Sequence, residues 1–123
     1  MLLNLSNHPT TKWTPEQLNN AIQQFTQVQD MPFPNIPPTA TTDKVKQIAD
    51  EYYNKILKIA AKHHTLTVHL MGEMTFTYHL VTKLQTFGIA CVASTTERTV
   101  LEEINGKKTF LFKFVQFRAY PKY

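Results

Sequence analysis

Three adjacent hydroxyl side chains and one guanidinium group lie within residues 94–98, directly after an apolar run at residues 89–93. Hydroxyl and guanidinium groups donate hydrogen bonds to phosphate oxygens, and arginine can use two donors at once. We therefore expect an anion-binding loop at the end of a buried strand. Its contacts would be Ser94, Thr95, Thr96 and Arg98. The alternative is a hydrated turn in which Glu97 and Arg98 pair at the surface.

Gly72 and Thr75 predict a second anion contact. Glycine allows the backbone to turn sharply, and the free amide groups at the start of the following helix attract phosphate through the positive end of the helix dipole. The alternative is that Gly72 only makes a tight turn and Thr75 only caps the helix. Glu73 lies between them and could act as a base. Its charge would repel a phosphate beside it unless the carboxylate holds a ribose hydroxyl.

Ser6, Asn7 and His8 follow the first apolar residues, and Pro9 prevents the strand from continuing. Imidazole donates or accepts a proton near neutral pH, so His8 is a candidate catalytic acid or base, with Ser6 and Asn7 as ligand contacts. The alternative is a loop histidine that only caps backbone groups. The five histidines lack metal-ligand spacing and partner cysteines. The sequence therefore predicts neither a metal site nor a cofactor.

The elements that position these three segments follow from hydrophobic periodicity, because strand-like runs alternate with apolar residues at helical spacing. The predicted strands cover residues 1–6, a short stretch near Val28, 66–71 and 89–93, and the predicted helices cover residues 15–25, 42–62 and 75–87. This alternation predicts one Rossmann-like α/β domain with a mostly parallel sheet flanked by helices. Ligands bind beyond the carboxyl ends of such strands, and the three polar segments follow strand ends.

The last quarter of the sequence predicts a β-hairpin. Residues 99–104 and 107–120 flank Asn105-Gly106, a pair that favours a type I′ turn. Four phenylalanines fall within eight residues, at positions 110, 112, 114 and 117. Phe117 does not alternate with the other three, so the hairpin is covered on both sides or a bulge switches its faces. Core packing is the first explanation of these rings, and a base-stacking platform is the alternative. Their number exceeds what one small sheet face buries, and this surplus predicts a protein interface, most simply a two-fold dimer.

Composition limits the class of protein. The 123 residues, of which 42% are hydrophobic, can build one core. The net charge of +4 suits a nucleotide ligand better than duplex nucleic acid, because basic tracts are missing. Cys91 is the single cysteine, and the sequence has neither a signal peptide nor an apolar stretch of bilayer length. We therefore expect a cytoplasmic protein without membrane contact.

Three motifs carry a resemblance to a known family. They are GEMTFTYHLV at residues 72–81, ASTTERTV at residues 93–100 and FKFVQFRAY at residues 112–120. Their order resembles that of the small stand-alone CRISPR-associated Csx-type proteins, which have a CARF-like Rossmann domain and are linked to cyclic oligoadenylate signalling as ring nucleases. Glu97 is a departure from this pattern, because a lysine is expected before the arginine. A phosphate role for position 97 is therefore weakened.

The resemblance implies a homodimer that binds cyclic tetra-adenylate across its two-fold axis and cleaves it without a metal ion, ending type III CRISPR signalling. A ribose 2′-hydroxyl attacks its own phosphate, so the protein need only hold that geometry, neutralise charge and move a proton. Arg98 would contact phosphate and His8 would carry the proton. The alternatives are a binding-only sensor or sponge with the same site, and an interaction module whose exposed hairpin recruits a partner.

Overall fold

Each of the two longest connections between strands contains a helix whose first turn is capped by threonine, as the sequence predicts. A computed structural model describes the backbone of residues 1–123 and the side chains of all residues except 101–104. The Thr14 hydroxyl accepts a hydrogen bond from the Gln17 amide at 3.3 Å, and the Thr41 hydroxyl accepts one from the Lys44 amide at 3.1 Å. The elements are β1 (Leu2–Ser6), α1 (Pro15–Phe25), β2 (Val28–Asp30), α2 (Thr42–Ala60), β3 (Thr67–Met71), α3 (Met74–Phe87), β4 (Ala90–Ile104) and β5 (Lys107–Ala119).

The five strands form one sheet in the order β2-β1-β3-β4-β5. The first four strands are parallel, and β5 runs antiparallel to β4. The chain first moves outward from β1 to β2 and then returns past β1 to β3, so the direction of winding reverses between β1 and β3. This reversal is the topological switch point, where the loops after two neighbouring strands diverge and leave a crevice. The predicted α/β fold with a mostly parallel sheet, flanking helices and a C-terminal hairpin is confirmed.

The two faces of the sheet are covered by different helices, and strand alternation decides which side chains meet each helix. α2 and α3 cover one face, where the strands contribute Leu3, Leu5, Val68, Leu70 and Cys91. α1 packs on the other face, where the buried cluster comprises Leu2, Ala21, Val92, Phe114 and Phe117. On this second face the alternating positions of β1 and β3 also bring in three buried polar residues, Asn4, Ser6 and His69.

The long strand β4 corrects the sequence interpretation of residues 94–98. These residues are not a loop, because β4 runs without interruption from Ala90 to Ile104. β3 pairs with its beginning only, and the last pair joins His69 and Val92. β5 pairs with β4 from Val92 opposite Ala119 onward, and it remains the partner of β4 beyond the last pair with β3. The two strands therefore continue past the sheet as a two-stranded ribbon.

The predicted hairpin turn is confirmed, and of the two alternatives for Phe117 the structure has the bulge. Asn105 and Gly106 have φ values of 54° and 75°, which are the positive values that a type I′ turn requires. The register shifts between Thr95 and Thr96, where β5 carries one extra residue, Val115. Because of this bulge, Phe114 and Phe117 point to the same buried face. Among the described residues, no helix is both long and apolar enough to span a membrane.

Candidate functional site

A network of hydrogen bonds centred on Asn4 lies under the switch point. The side-chain oxygen of Asn4 accepts hydrogen bonds from the Ser6 hydroxyl and from Nδ1 of His69, both at 2.8 Å. The Asn4 amide nitrogen donates to Oδ1 of Asp30 and to the carbonyl oxygen of His8, both at 2.9 Å. Asn4 is buried, and every polar atom of its side chain has a partner. The network thus ties β1, β2, β3 and the loop after β1 together.

His69 has a structural role in this network and carries no charge at neutral pH. Its ring packs edge-on against Trp13 and Phe117, with centroid distances of 5.4 and 5.5 Å. Because the Asn4 oxygen can only accept, Nδ1 must hold the ring proton and Nε2 must be the bare nitrogen. Nε2 is buried without a hydrogen-bond partner among the described residues. Burial, followed by the charge of His8, lowers the pKa of His69 to about 4.

The His8 backbone is fixed at both of its polar groups. Its carbonyl oxygen accepts hydrogen bonds from the Asn4 amide at 2.9 Å and from Nε1 of Trp13 at 3.0 Å. Its amide donates to the Ser6 hydroxyl at 3.2 Å. The imidazole ring is exposed and has no hydrogen bond to the described part of the chain. His8 is therefore presented to solvent from a rigid anchor.

The other two residues after β1 have different surroundings. The Ser6 hydroxyl is buried and has only one proton, which the shorter contact assigns to Asn4. Ser6 therefore positions the loop and has no free donor for a ligand. Asn7 is exposed, and its backbone amide donates to the carbonyl of Met71 at 3.2 Å. This bond holds the end of β1 against the end of β3.

The start of α3 corrects the expectation of free amides around Thr75. α3 begins at Met74, and Glu73 is its cap: the carboxylate accepts hydrogen bonds from the amides of Thr75 at 2.8 Å and Phe76 at 3.1 Å, and also from the Thr75 hydroxyl. These hydrogen bonds, with that of the Thr75 hydroxyl largest, lower the pKa of Glu73. A carboxylate thus already occupies the positive end of the helix.

Gly72 makes room for an aromatic ring. The ring of Phe33, from the proline-rich segment before α2, lies where a Cβ atom on residue 72 would be. Phe33 also packs edge-on against Phe76 at a centroid distance of 5.1 Å. The missing side chain at Gly72 therefore serves this packing, which the sequence alone does not indicate.

The residues of the predicted phosphate contact form a row along β4. Strand alternation places Ser94, Thr96 and Arg98 on the α1 face of the sheet and Thr95 on the opposite face, where the Thr95 hydroxyl donates to the carbonyl of Gln116 at 3.3 Å. The Ser94 amide and hydroxyl both contact the sulfur of Met71 at 3.2 Å. Arg98 lies about 13 Å farther along the strand than Ser94.

Arg98 is held by an aromatic contact on the ribbon. Its guanidinium carbon lies 3.8 Å from the centroid of the Phe110 ring. Ser94 thus lies beside Met71 at the end of β3, whereas Thr96 and Arg98 lie outside the sheet on the ribbon. The sequence did not indicate the roles of Asn4, Asp30 and His69, although polar residues at the buried positions of predicted strands are a usable signal.

A small crevice opens beside the His8 loop. It has a volume of about 340 Å³ and lies at the ends of β1 and β2, between Asn7 and Phe33. Asp30 borders it and accepts hydrogen bonds from the Thr10 amide and hydroxyl, the latter at 2.7 Å. The negative charge of Asp30 favours hydroxyl or amino groups of a ligand over phosphate in this crevice.

A family model described as the uncharacterized protein MJ1673 family matches residues 1–118. No curated protein and no solved structure matches the chain.

Proposed function

This chain belongs to the uncharacterized protein MJ1673 family, and we propose that it binds a cyclic oligoadenylate beyond the carboxyl ends of its strands and cleaves it. Cyclic tetra-adenylate is the preferred ligand in this proposal. A ring nuclease of this kind would end type III CRISPR signalling. The single observation that supports the proposal is the way in which the chain holds His8.

A proton carrier needs a fixed backbone and a free ring, and His8 has both. Asn4 and Trp13 bind its carbonyl, and Ser6 binds its amide. The exposed ring follows β1 at the switch point, where ligands of open α/β sheets bind. Asn4 and Ser6 are buried, so two of the three residues that hold the His8 backbone are themselves fixed by the domain interior.

In the proposed reaction, a ribose 2′-oxygen forms a bond to the adjacent phosphorus, and the bond from that phosphorus to the 5′-oxygen breaks. The neutral His8 ring accepts the 2′-hydroxyl proton, and water supplies a proton to the leaving 5′-oxygen, which lies on the opposite side of the phosphorus. The products are a 2′,3′-cyclic phosphate and a 5′-hydroxyl. No metal ion takes part in this scheme.

Phosphate binding is assigned to the row of donors along β4. Alternate residues of a strand are about 6.7 Å apart, so Thr96 and Arg98 can contact successive phosphates of an oligonucleotide. Ser94 adds a third contact when a phosphate replaces the Met71 sulfur as the partner of its hydroxyl. Asn7 is the contact for a ribose or base. Thr95 faces the other way and does not belong to this row, and Gly72, Glu73 and Thr75 shape the turn beside the ligand.

A binding-only sensor or sponge is the second candidate, and the cap of α3 favours it. Catalysis of phosphoryl transfer gains most from donors aimed at the developing negative charge. Glu73 occupies the helix-start amides that could have served this purpose. The same residues would then bind the ligand without turnover.

We also propose that the protein is a cytoplasmic homodimer. Burial raises the pKa of the Cys91 thiol to about 12, and a single inert thiol suits a reducing compartment. The ribbon exposes aromatic side chains, which suits a contact between two identical subunits.

The first experiment mixes the protein with cyclic tetra-adenylate and excess chelator and follows linear products by chromatography. We expect cleavage by the wild type. His8→Ala should lower the single-turnover rate about 100-fold or more, because general base catalysis contributes that much. His64→Ala removes another exposed histidine, far along the sequence, and serves as the matched control.

Each result has one interpretation. Tight binding without cleavage by the wild type contradicts the enzyme proposal and supports the sensor. An unchanged rate in His8→Ala removes the proton-carrier role from His8. If the wild type does not bind cyclic tetra-adenylate at all, the proposed function is wrong.

A further inference from the structure

A groove of about 670 Å³ lies between α3 and residues 120–123. It begins at the end of β3, where Met71 and Gly72 form part of its wall. This volume falls in the range of small-molecule sites. The groove lies on the α3 side of the strand ends, and none of the donors along β4 lines it.

Thr77 is the unusual residue of this groove. It is only 9% exposed, and its hydroxyl oxygen is buried with no hydrogen-bond partner among the described residues. Two other threonines of the groove behave differently: the Thr82 hydroxyl donates to the carbonyl of Tyr78 at 2.8 Å, and the Thr86 hydroxyl donates to the carbonyl of Thr82 at 2.9 Å. A buried hydroxyl without a partner costs free energy, and a hydrogen bond to a ligand would remove that cost.

The groove is preformed, because hydrogen bonds hold its outer wall. The side-chain amide of Gln85 donates to the carbonyls of Tyr120 at 3.3 Å and Pro121 at 3.0 Å. The Tyr120 hydroxyl donates to the carbonyl of Leu70 at 2.6 Å. These bonds fix residues 120 and 121 against α3 and the sheet. A ligand would therefore meet a wall that is already in place.

The side chains around the opening suit a flat heteroaromatic ring. Met74 and Tyr78 are 83% and 77% exposed, and Tyr123 lines the groove on the other side. Aromatic rings and methionine sulfur pack favourably against a planar base. Lys122 also lines the groove and can attract a phosphate that is linked to that base through a ribose.

We propose that this groove binds the adenine base of an adenylate, with Lys122 next to its phosphate and with the Thr77 hydroxyl as its hydrogen-bond partner once rotation of that side chain brings the buried oxygen to the groove surface. The choice of adenine rests on the proposed function. The groove, its buried hydroxyl and its aromatic opening are observed independently of that proposed function. The base would lie on the α3 side of the strand ends, with its ribose and phosphate toward Lys122.

The test compares two threonines of one helix. Thr77→Val keeps the shape of the side chain and removes the unpartnered hydroxyl, whereas Thr82→Val removes a hydroxyl that is already bonded to the backbone. Calorimetric titration with adenosine 5′-monophosphate should show binding to the wild type, a loss of at least tenfold in affinity for Thr77→Val and less than a twofold change for Thr82→Val. Thr77→Ser keeps the hydroxyl and should keep the affinity.

The melting temperature without ligand separates binding from folding. Thr77→Val should melt at the same temperature as the wild type or higher, because it removes an unsatisfied buried group. Equal binding of adenosine 5′-monophosphate by Thr77→Val and the wild type overturns the inference. Binding of cyclic tetra-adenylate but not of the monophosphate also overturns it and leaves the proposed function intact. Binding of the monophosphate but not of the cyclic ligand supports the groove and contradicts the proposed function.

Discussion

The imidazole of His69 links pH to stability at the scale of one residue. Burial and the charge of His8 lower its pKa from 6.5 to about 4. In the unfolded chain the ring takes up a proton below about pH 6.5. Between pH 6.5 and 4 the unfolded state therefore binds more protons than the folded state, and the free energy of unfolding falls as the pH falls. Above pH 6.5 the ring is neutral in both states, so this group takes nothing from the free energy of unfolding there.

We predict that His69→Gln flattens this dependence. Urea unfolding should show that the wild type loses about 2 kcal/mol of unfolding free energy between pH 7.0 and 4.5 through this group, and that the variant loses much less. His64→Gln, at an exposed histidine, should behave like the wild type. Asp50 and Glu73 also have lowered pKa values, but their contributions are lost below about pH 4.5 in all three proteins. Equal losses in the wild type and His69→Gln would contradict the prediction.

The residue types at the strand ends could be predicted from the sequence, but their hydrogen bonds could not. Ser6 and His8 both belong to the predicted end of the first strand, yet only the His8 side chain is left without a hydrogen bond to the described residues. This difference depends on Asn4, whose side-chain oxygen also binds His69, 65 residues away in the sequence. The sequence leaves Glu73 open as a base or a ribose contact. Its side chain instead folds back onto the amides two and three residues later, and this local competition is not visible in residue spacing.

At the scale of elements, the helices and the first three strands follow from periodicity, whereas the extent of β4 does not. The apolar run that ends at Ala93 marks only the part of the strand that is buried in the sheet. Thr95, Thr96 and Thr99 are β-branched and favour extended backbone as much as they favour a polar loop. The antiparallel partner β5 decides between the two, because it supplies backbone hydrogen bonds along the ribbon.

The ribbon yields a prediction for Arg98. If the donors along β4 bind phosphates, Arg98→Ala should weaken binding of cyclic tetra-adenylate by about 1.5 to 3 kcal/mol, or roughly 10-fold to 150-fold, through loss of a charge-assisted contact. Arg118→Ala is the matched control, because Arg118 pairs with Ala93 in the register and so lies on the opposite face. Calorimetric titration of both variants measures the difference. Equal affinities for the two variants would remove the β4 row from the site.

At the scale of the whole molecule, the ribbon is the part that the domain does not support. A two-stranded ribbon alone is only marginally stable in water. Phe110 and Phe112 are 36% and 59% exposed, whereas Phe114 and Phe117 are buried under α1. The aromatic surplus noted in the sequence therefore divides into a core half and an exposed half. The exposed phenylalanines are removed from water only when another surface packs against them.

We predict that this partner is a second copy of the chain and that Phe112→Gln weakens the dimer. In a two-fold interface each substitution acts twice, so losing about 1.5 kcal/mol per side chain raises the dissociation constant roughly 150-fold. Light scattering coupled to size-exclusion chromatography should give a dimeric mass for the wild type and a monomeric mass for the variant at the same micromolar concentration. Ile22→Gln, at an exposed apolar residue of α1, should stay dimeric. A monomeric wild type would contradict the prediction, and a dimer that survives Phe112→Gln would move the interface away from the ribbon.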